Sequence, residues 1–348
     1  MNHQTASARL SPVPGPSPLD VLILASPLDT HARTGSLKLI ERGLTVLIVD
    51  FADFPERAGL SVRHDDRGSQ TLLEYEGRTY LLNGLRSIWL RKIGISEARP
   101  GNGLYGAWAR QELNRFITDA LENIGCFWFP GSRTSLIRLE SKRSRMLSLA
   151  QNAGFRIPPT LTTHRIEDLL AFYEEHEGNI VAKKFYQSML PGYYVPEQVD
   201  QRAHVCFTRP VTILDLRYLH HLTEAPVIFQ VKVPKKVELR VTVVGRKIFA
   251  AAINSQDTHR TKNDWRHYDH SNTQIEIYEL PEEIVRSCLR LVEAMGVRYG
   301  AIDLIETPDG EIYFLEINPA GQSHWIEEQT GLPITEEICM WLSNPAGT

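Results

Sequence analysis

The residues best suited to chemistry lie in one segment, GAIDLIETPDGEIYFLEINPAGQ, residues 300–322. Two apolar stretches flank Pro308-Asp309-Gly310, and Asp-Gly is a favoured hairpin turn. Centring the turn there sets Asp303 opposite Glu316 and Ala301 opposite Asn318. An even-length loop keeps this register and an odd-length loop breaks it. Ile302 and Leu304 then pair with Ile317 and Leu315 on a core-facing side, while Asp303, Glu316 and Asn318 share the other. Directly opposed residues have Cβ atoms about 5 Å apart. Two carboxylates so placed repel unless a cation or a proton intervenes. A hard divalent ion resolves the conflict, since Mg2+ takes one or two carboxylates together with phosphate oxygens and waters. An incidental polar side of a half-exposed hairpin fits the same pattern, because a short motif is weak on its own.

Charged groups upstream suit a polyphosphate. Lys183 and Lys184 end the apolar stretch NIVAKKF; either can face a phosphate, although a lysine at a strand end is commonly just solvated. In VIFQVKVPKKVELRVTVVGRKIFAAAI, Gly245-Arg246 makes a Gly-first hairpin turn. Glu238, Arg240 and Thr242 then share one side of a strand, and Leu239, Val241 and Val243 the other. A carboxylate accepts ribose hydroxyls, and an arginine two residues on forks onto phosphate oxygens; a surface ion-pair side is the alternative. Lys142 lies on a helix that can approach the same anion. The run from Asn254 to His270, with Ser255, Asp264, Trp265, Arg266 and His267, reads as a polar loop at a site mouth or as a solvated loop. The histidines show no metal-ligand spacing such as HExxH.

These residues need a scaffold of alternating strands and helices. The chain has 348 residues, enough for two or three domains. VLILAS from Val21, a helix over 33–42 closed by Gly43, and LTVLIVDF form a β-α-β opening that predicts a parallel, helix-covered sheet. No GxGxxG is present, so a dinucleotide fingerprint is absent. Further helices are expected over 105–124, 135–153, 281–295 and 333–343. Gly154 ends the second of these, and Pro158-Pro159 prevent its return. The division expected is a flexible tail over 1–18, a first domain over 19–130, a second over 131–211 and a third over 212–348. A net charge of −4 argues against nucleic acid as the main partner. Four scattered cysteines with no CxxC pair predict reduced thiols and a cytoplasmic location. No apolar stretch approaches a membrane span.

Taken together the segments resemble the ATP-grasp superfamily over residues 131–343. AID…FLEINPAG resembles its metal strands, VAKK its lysine strand, FQVKVPKKVELRV its hinge and ribose segment, and SKRSRMLSLAQNAGFRIPPT its first-lysine helix and following turn. A narrower resemblance to the microviridin-type (graspetide) peptide maturases rests on ELRVTVVG…IFAAAINSQ…DWR and on SPLDTHA…GLTVLIVDF…SIWLRK. The implied fold class is α/β (α+β), a pre-ATP-grasp domain followed by two α+β subdomains with ATP between them. The implied cofactors are ATP and two magnesium ions. The resemblance also implies the site, residue by residue: Asp303, Glu316 and Asn318 hold the metal. Lys142 and Lys183, with Lys184 as a rival, contact phosphates. Gln230, Val231, Lys232 and Val233 offer hinge backbone to adenine, and Glu238 binds ribose. Arg240 and Arg266 stabilise an acyl phosphate.

The implied partner is a ribosomal precursor peptide, whose Asp or Glu side chains are phosphorylated and then joined to a hydroxyl or amine. Residues 187–207 are its expected docking region, and a homodimer is admitted. One departure stands out. Asn254 occupies a position where glutamate-adding relatives often place arginine, which weakens a free-amino-acid reading. Ligation of free amino acids or of a protein C-terminus, and a non-catalytic ATP-binding role, are the alternatives.

Overall fold

Residues Val21 to Val49 fold as the first β-α-β part of a parallel sheet, as their pattern predicts. The computed structural model describes residues 15–66, 68–92, 104–140, 143–184, 208–213, 215, 225–257 and 274–345, with backbone alone at 104, 140 and 184. The chain divides into two compact units, residues 1–133 with 339–348, and residues 134–338.

In the first unit, β1 (Ser17–Pro18) precedes β2 (Val21–Leu24), α1 (Thr30–Glu41) and β3 (Val46–Val49). β4 (Ala58–Asp65) and β5 (Gly68–Tyr75) form a hairpin, followed by β6 (Arg78–Leu81), β7 (Ser87–Leu90), α2 (Leu104–Glu122) and β8 (Phe127–Phe129). The all-parallel sheet has the order β3-β2-β7-β8. All four residues of β2 and of β7 are buried, as expected of strands covered on both sides. Asp29 starts α1 by accepting the Ala32 amide, and Gly43 at φ 81° follows its end. A second sheet has the order β1-β6-β5-β4. Ser17 and Pro18, placed in the tail by composition, pair in parallel with Tyr80 and Leu81; Pro18 lacks an N–H but sits on an edge strand, where none is needed.

The second unit carries α3 (Arg133–Glu140), α4 (Arg143–Asn152), β9 (Thr160–Thr163), α5 (Ile166–Glu175), β10 (Ile180–Lys184), β11 (Arg209–Pro210) and β12 (Val227–Val231). Its first sheet runs β11-β10-β12-β9, antiparallel throughout. β12 therefore shares a sheet with β9 and β10, although the expected boundary at 211 sets it in the following segment. Next come β13 (Val237–Val244), β14 (Lys247–Ile253), β15 (Ile275–Ile277), α6 (Glu282–Met295), β16 (Tyr299–Glu306), β17 (Ile312–Asn318), α7 (His324–Thr330) and α8 (Ile334–Ser343). The second sheet has the order β15-β14-β13-β16-β17. α6 buries Ile284, Cys288, Leu291, Val292 and Met295 at helical spacing and ends at Gly296, φ 69°. The end of α8 groups with the first unit, where the Leu342 carbonyl accepts from Ser87 Oγ at 2.7 Å. The mixed α/β class is the one expected.

Candidate active site

The carboxylate hairpin has the expected register at its open end and a different one near its turn. Asp303 pairs with Glu316, Ile302 with Ile317 and Ala301 with Asn318. Beyond Asp303 the register slips by a bulge, so Leu304 faces Phe314 and Glu306 faces Ile312. The loop over 307–311 is odd in length, contrary to the symmetric turn expected, with Gly310 at φ 86°. The bulge absorbs the odd residue and restores Asp303 opposite Glu316. Leu304 consequently meets Phe314 rather than Leu315. Phe314 is fully buried against Phe155, with ring centroids 5.3 Å apart, while Leu315 is half-buried.

Strand β13 supplies the third member of the row. Arg240 pairs with Asp303, so Arg240, Asp303 and Glu316 lie side by side across β13, β16 and β17. Arg240 Nη1 donates to Asp303 Oδ1 at 2.6 Å, and Nη2 donates to the Gln322 carbonyl at 3.0 Å. Burial opposes the charge on Arg240, yet the adjoining Asp303 carboxylate, its hydrogen bond, and the nearby Tyr299 and Glu316 raise its pKa further. The guanidinium is therefore a fixed positive charge. The turn after β17 is built to meet it. Asn318 Oδ1 accepts the Ala320 amide at 2.9 Å, and Tyr299 Oη donates to the Gly321 carbonyl at 2.8 Å. A Cβ on Gly321 would fall 2.5 Å from Ala301 Cβ and 3.2 Å from Arg240 Nη2. Only glycine lets the turn pack this closely.

The other expected residues that are described lie in two places, one on each sheet of the second unit. Lys183 Nζ donates to Gln230 Oε1 at 2.6 Å, and Gln230 Nε2 donates to Thr160 Oγ1 at 2.8 Å. Lys183 thus sits beside the proposed hinge. Glu238 is buried; its Oε1 accepts from Lys235 Nζ at 3.0 Å and from Ser255 Oγ at 2.8 Å. The hinge expectation needs narrowing. The Val231 amide donates to Pro159 O and the Lys232 amide to Asn179 O, each at 2.9 Å. Those two N–H groups are committed to the protein and are not available to a ligand. Lys142, the side chain of Lys184, Arg266, the loop beyond Asp257 and residues 187–207 lie outside the described residues.

Sequence reasoning did not single out Arg143. Its Nη1 donates to Glu316 Oε2 at 3.1 Å. The signal was there in SKRSR, but a run of basic residues on a helix does not say which one faces a strand. Gly321 and Tyr299 were also passed over, because their roles depend on the turn after β17.

A divalent metal fits this donor set. Among the described residues no group of three or more His, Cys, Asp or Glu side chains converges. An ion held at the hairpin would meet two carboxylates and an amide oxygen, the hard ligands that magnesium prefers. Both acids have their charge met by an arginine, which marks the row as one that requires positive charge.

Comparisons with known proteins bear on the fold and the family. The family model of the RimK-like ATP-grasp domain matches residues 144–342, more than half of the chain. A Chryseobacterium gregarium RiPP-associated ATP-grasp ligase, solved with ADP and a leader and core peptide, superposes with TM-score 0.84 and 29% identity. The superposition covers 94% of this chain and 97% of that one. The macrocyclase MdnC of Microcystis aeruginosa, solved with precursor peptide MdnA, gives TM-score 0.80 and 29% identity over 94% of this chain and 100% of its own. A probable alpha-L-glutamate ligase of Picosynechococcus is 23% identical over 63% of this chain and 68% of its own length. The Arg240–Asp303–Glu316 row thus stands in the fold that these ligases share, and the chain belongs to the RimK-like ATP-grasp family, as an ATP-dependent ligase.

Proposed function

We propose that this ligase activates Asp or Glu side chains of a ribosomal precursor peptide and closes them onto hydroxyl or amine side chains of the same peptide. The observation that carries this reading is the likeness along nearly the whole chain, first unit included, to two ligases solved with their peptides.

In this reading Asp303, Glu316 and Asn318 hold magnesium, Lys183 meets the phosphates beside Gln230, and Glu238 takes ribose hydroxyls. Magnesium, when bound, neutralises phosphate oxygens and makes the γ-phosphorus more electrophilic. A substrate carboxylate oxygen attacks that phosphorus, the bond to the bridging oxygen of ADP breaks, and an acyl phosphate results. Phosphoryl transfer asks the protein mainly for position and charge. Arg240 supplies both, since Asp303 and the Gln322 carbonyl fix its plane and keep it cationic. A hydroxyl or amine then attacks the acyl carbon, loses its proton and expels phosphate. Each crosslink removes one water from the peptide overall.

Glutamate ligation is the second reading, favoured by the curated relative. Asn254, at the end of β14 with its amide bonded to Gln274 O, supports the peptide reading, because it lacks the charge an arginine would bring to a free α-carboxylate. Mass spectrometry of a short acidic peptide encoded beside the gene and coexpressed with the ligase tests the choice. Loss of one water per ring, abolished by Glu316→Gln, is expected. An unmodified peptide, together with glutamate-dependent phosphate release, would overturn the proposal.

A further inference from the structure

The two acids of the row are neutralised in different ways. Arg240–Asp303 is a closed pair, with side-chain exposures of 7% and 12%, and the Gln322 carbonyl holds the guanidinium from the other side. Arg143–Glu316 is open, with exposures of 36% and 35%. Arg143 reaches Glu316 from α4, outside the sheet, whereas Arg240 belongs to the adjacent strand. Two carboxylates opposed on neighbouring strands repel strongly enough that neither is left bare. Arg240 cannot move without taking its 2.6 Å ion pair from the buried Asp303 carboxylate, a large penalty. Arg143 can, because a half-exposed pair is weak and solvent takes over both partners.

We propose that Arg143 is an exchangeable counterion of Glu316. It neutralises that carboxylate while no divalent ion is present and gives it up when the ion binds. The released guanidinium stays at the rim of the site, where the incoming anion is a phosphate. Arg143 is thus a positioning residue that holds Glu316 ready and sets the metal affinity. The inference rests on the reading of Glu316 as a metal ligand.

Manganese titration of the full chain, without nucleotide or peptide and read by the electron paramagnetic resonance of free Mn2+, tests it. Removing a competing half-exposed pair should tighten binding in Arg143→Gln by about two- to fivefold. Arg143→Lys, which keeps the charge, should stay near wild type. The gap between Arg143→Gln and wild type should close as salt rises, because the competing pair is screened. Equal or weaker binding in Arg143→Gln, with Mn2+ lost in Glu316→Gln, would overturn the inference and leave the metal site standing. Wild-type affinity in Glu316→Gln would overturn the metal assignment, and this inference with it.

Discussion

Arg240 and Asp303 sit directly opposite each other on β13 and β16 and share a 2.6 Å ion pair inside the sheet. A buried pair of this kind is held by its neighbours, here the Gln322 carbonyl on the arginine and Glu316 beside the aspartate. Removing one partner strands the other. Arg240→Met should destabilise the protein by about 3–5 kcal/mol, measured by chemical denaturation, and abolish phosphate release. Arg240→Lys should recover much of the stability but little of the turnover, since an ammonium cannot reproduce the planar fork. Equal activity in Arg240→Lys and wild type would remove Arg240 from the chemistry.

Gly321 lies under this arginine. Gly321→Ala places a methyl 2.5 Å from Ala301 Cβ, and β16 cannot retreat from the middle of its sheet. A cost of about 1–3 kcal/mol is expected, visible as an earlier denaturation midpoint. The turn that carries the Gln322 carbonyl must shift, so turnover should fall further than the stability loss explains.

Lys183 tests the nucleotide side. Its ammonium donates to Gln230 Oε1, at the place proposed for adenine and phosphate to meet. Lys183→Met should weaken ADP binding by about tenfold, the loss of one charge-assisted hydrogen bond of about 1.5 kcal/mol. Calorimetry with ADP and magnesium measures this. Mn2+ binding without nucleotide should be unchanged, because Lys183 belongs to the other sheet.

The first unit contains its own buried ion pair. Asp29 caps α1, and Arg91 Nε lies 3.4 Å from its Oδ1, both side chains 4% exposed. Burial opposes ionisation of Asp29, but the His31 hydrogen bond, the Arg91 charge and the Ala32 amide outweigh it and hold the carboxyl below its ordinary value of 3.8. A lowered native pKa means that the stabilisation is present above the ordinary value and lost as pH falls through the native one. Asp29→Asn keeps a good cap but takes from buried Arg91 its carboxylate partner, at about 3–5 kcal/mol. The difference from wild type should persist through neutral pH and shrink only in strong acid. A difference that vanished near pH 5 would contradict the pairing.

Much of this protein was legible before its structure. Hydrophobic alternation in AIDLI and FLEIN, with Pro-Asp-Gly between them, brought Asp303 and Glu316 together. The ELRV alternation set Glu238 and Arg240 on one side of β13. Those are local properties, because a strand's period of two assigns sides wherever apolar and polar residues alternate. The even-loop argument reached the right pairing by a route the chain does not take, since the odd loop and the bulge cancel. That compensation depends on Phe314 filling the core in place of Leu315, which is a matter of packing against Phe155. The grouping of β12 with β9 and β10, the contact of Arg143 with Glu316, and the closeness of Gly321 to Ala301 also came only from the tertiary structure. Each joins residues far apart in the chain, and short-range periodicity says which way a side chain points but not what another element brings to meet it.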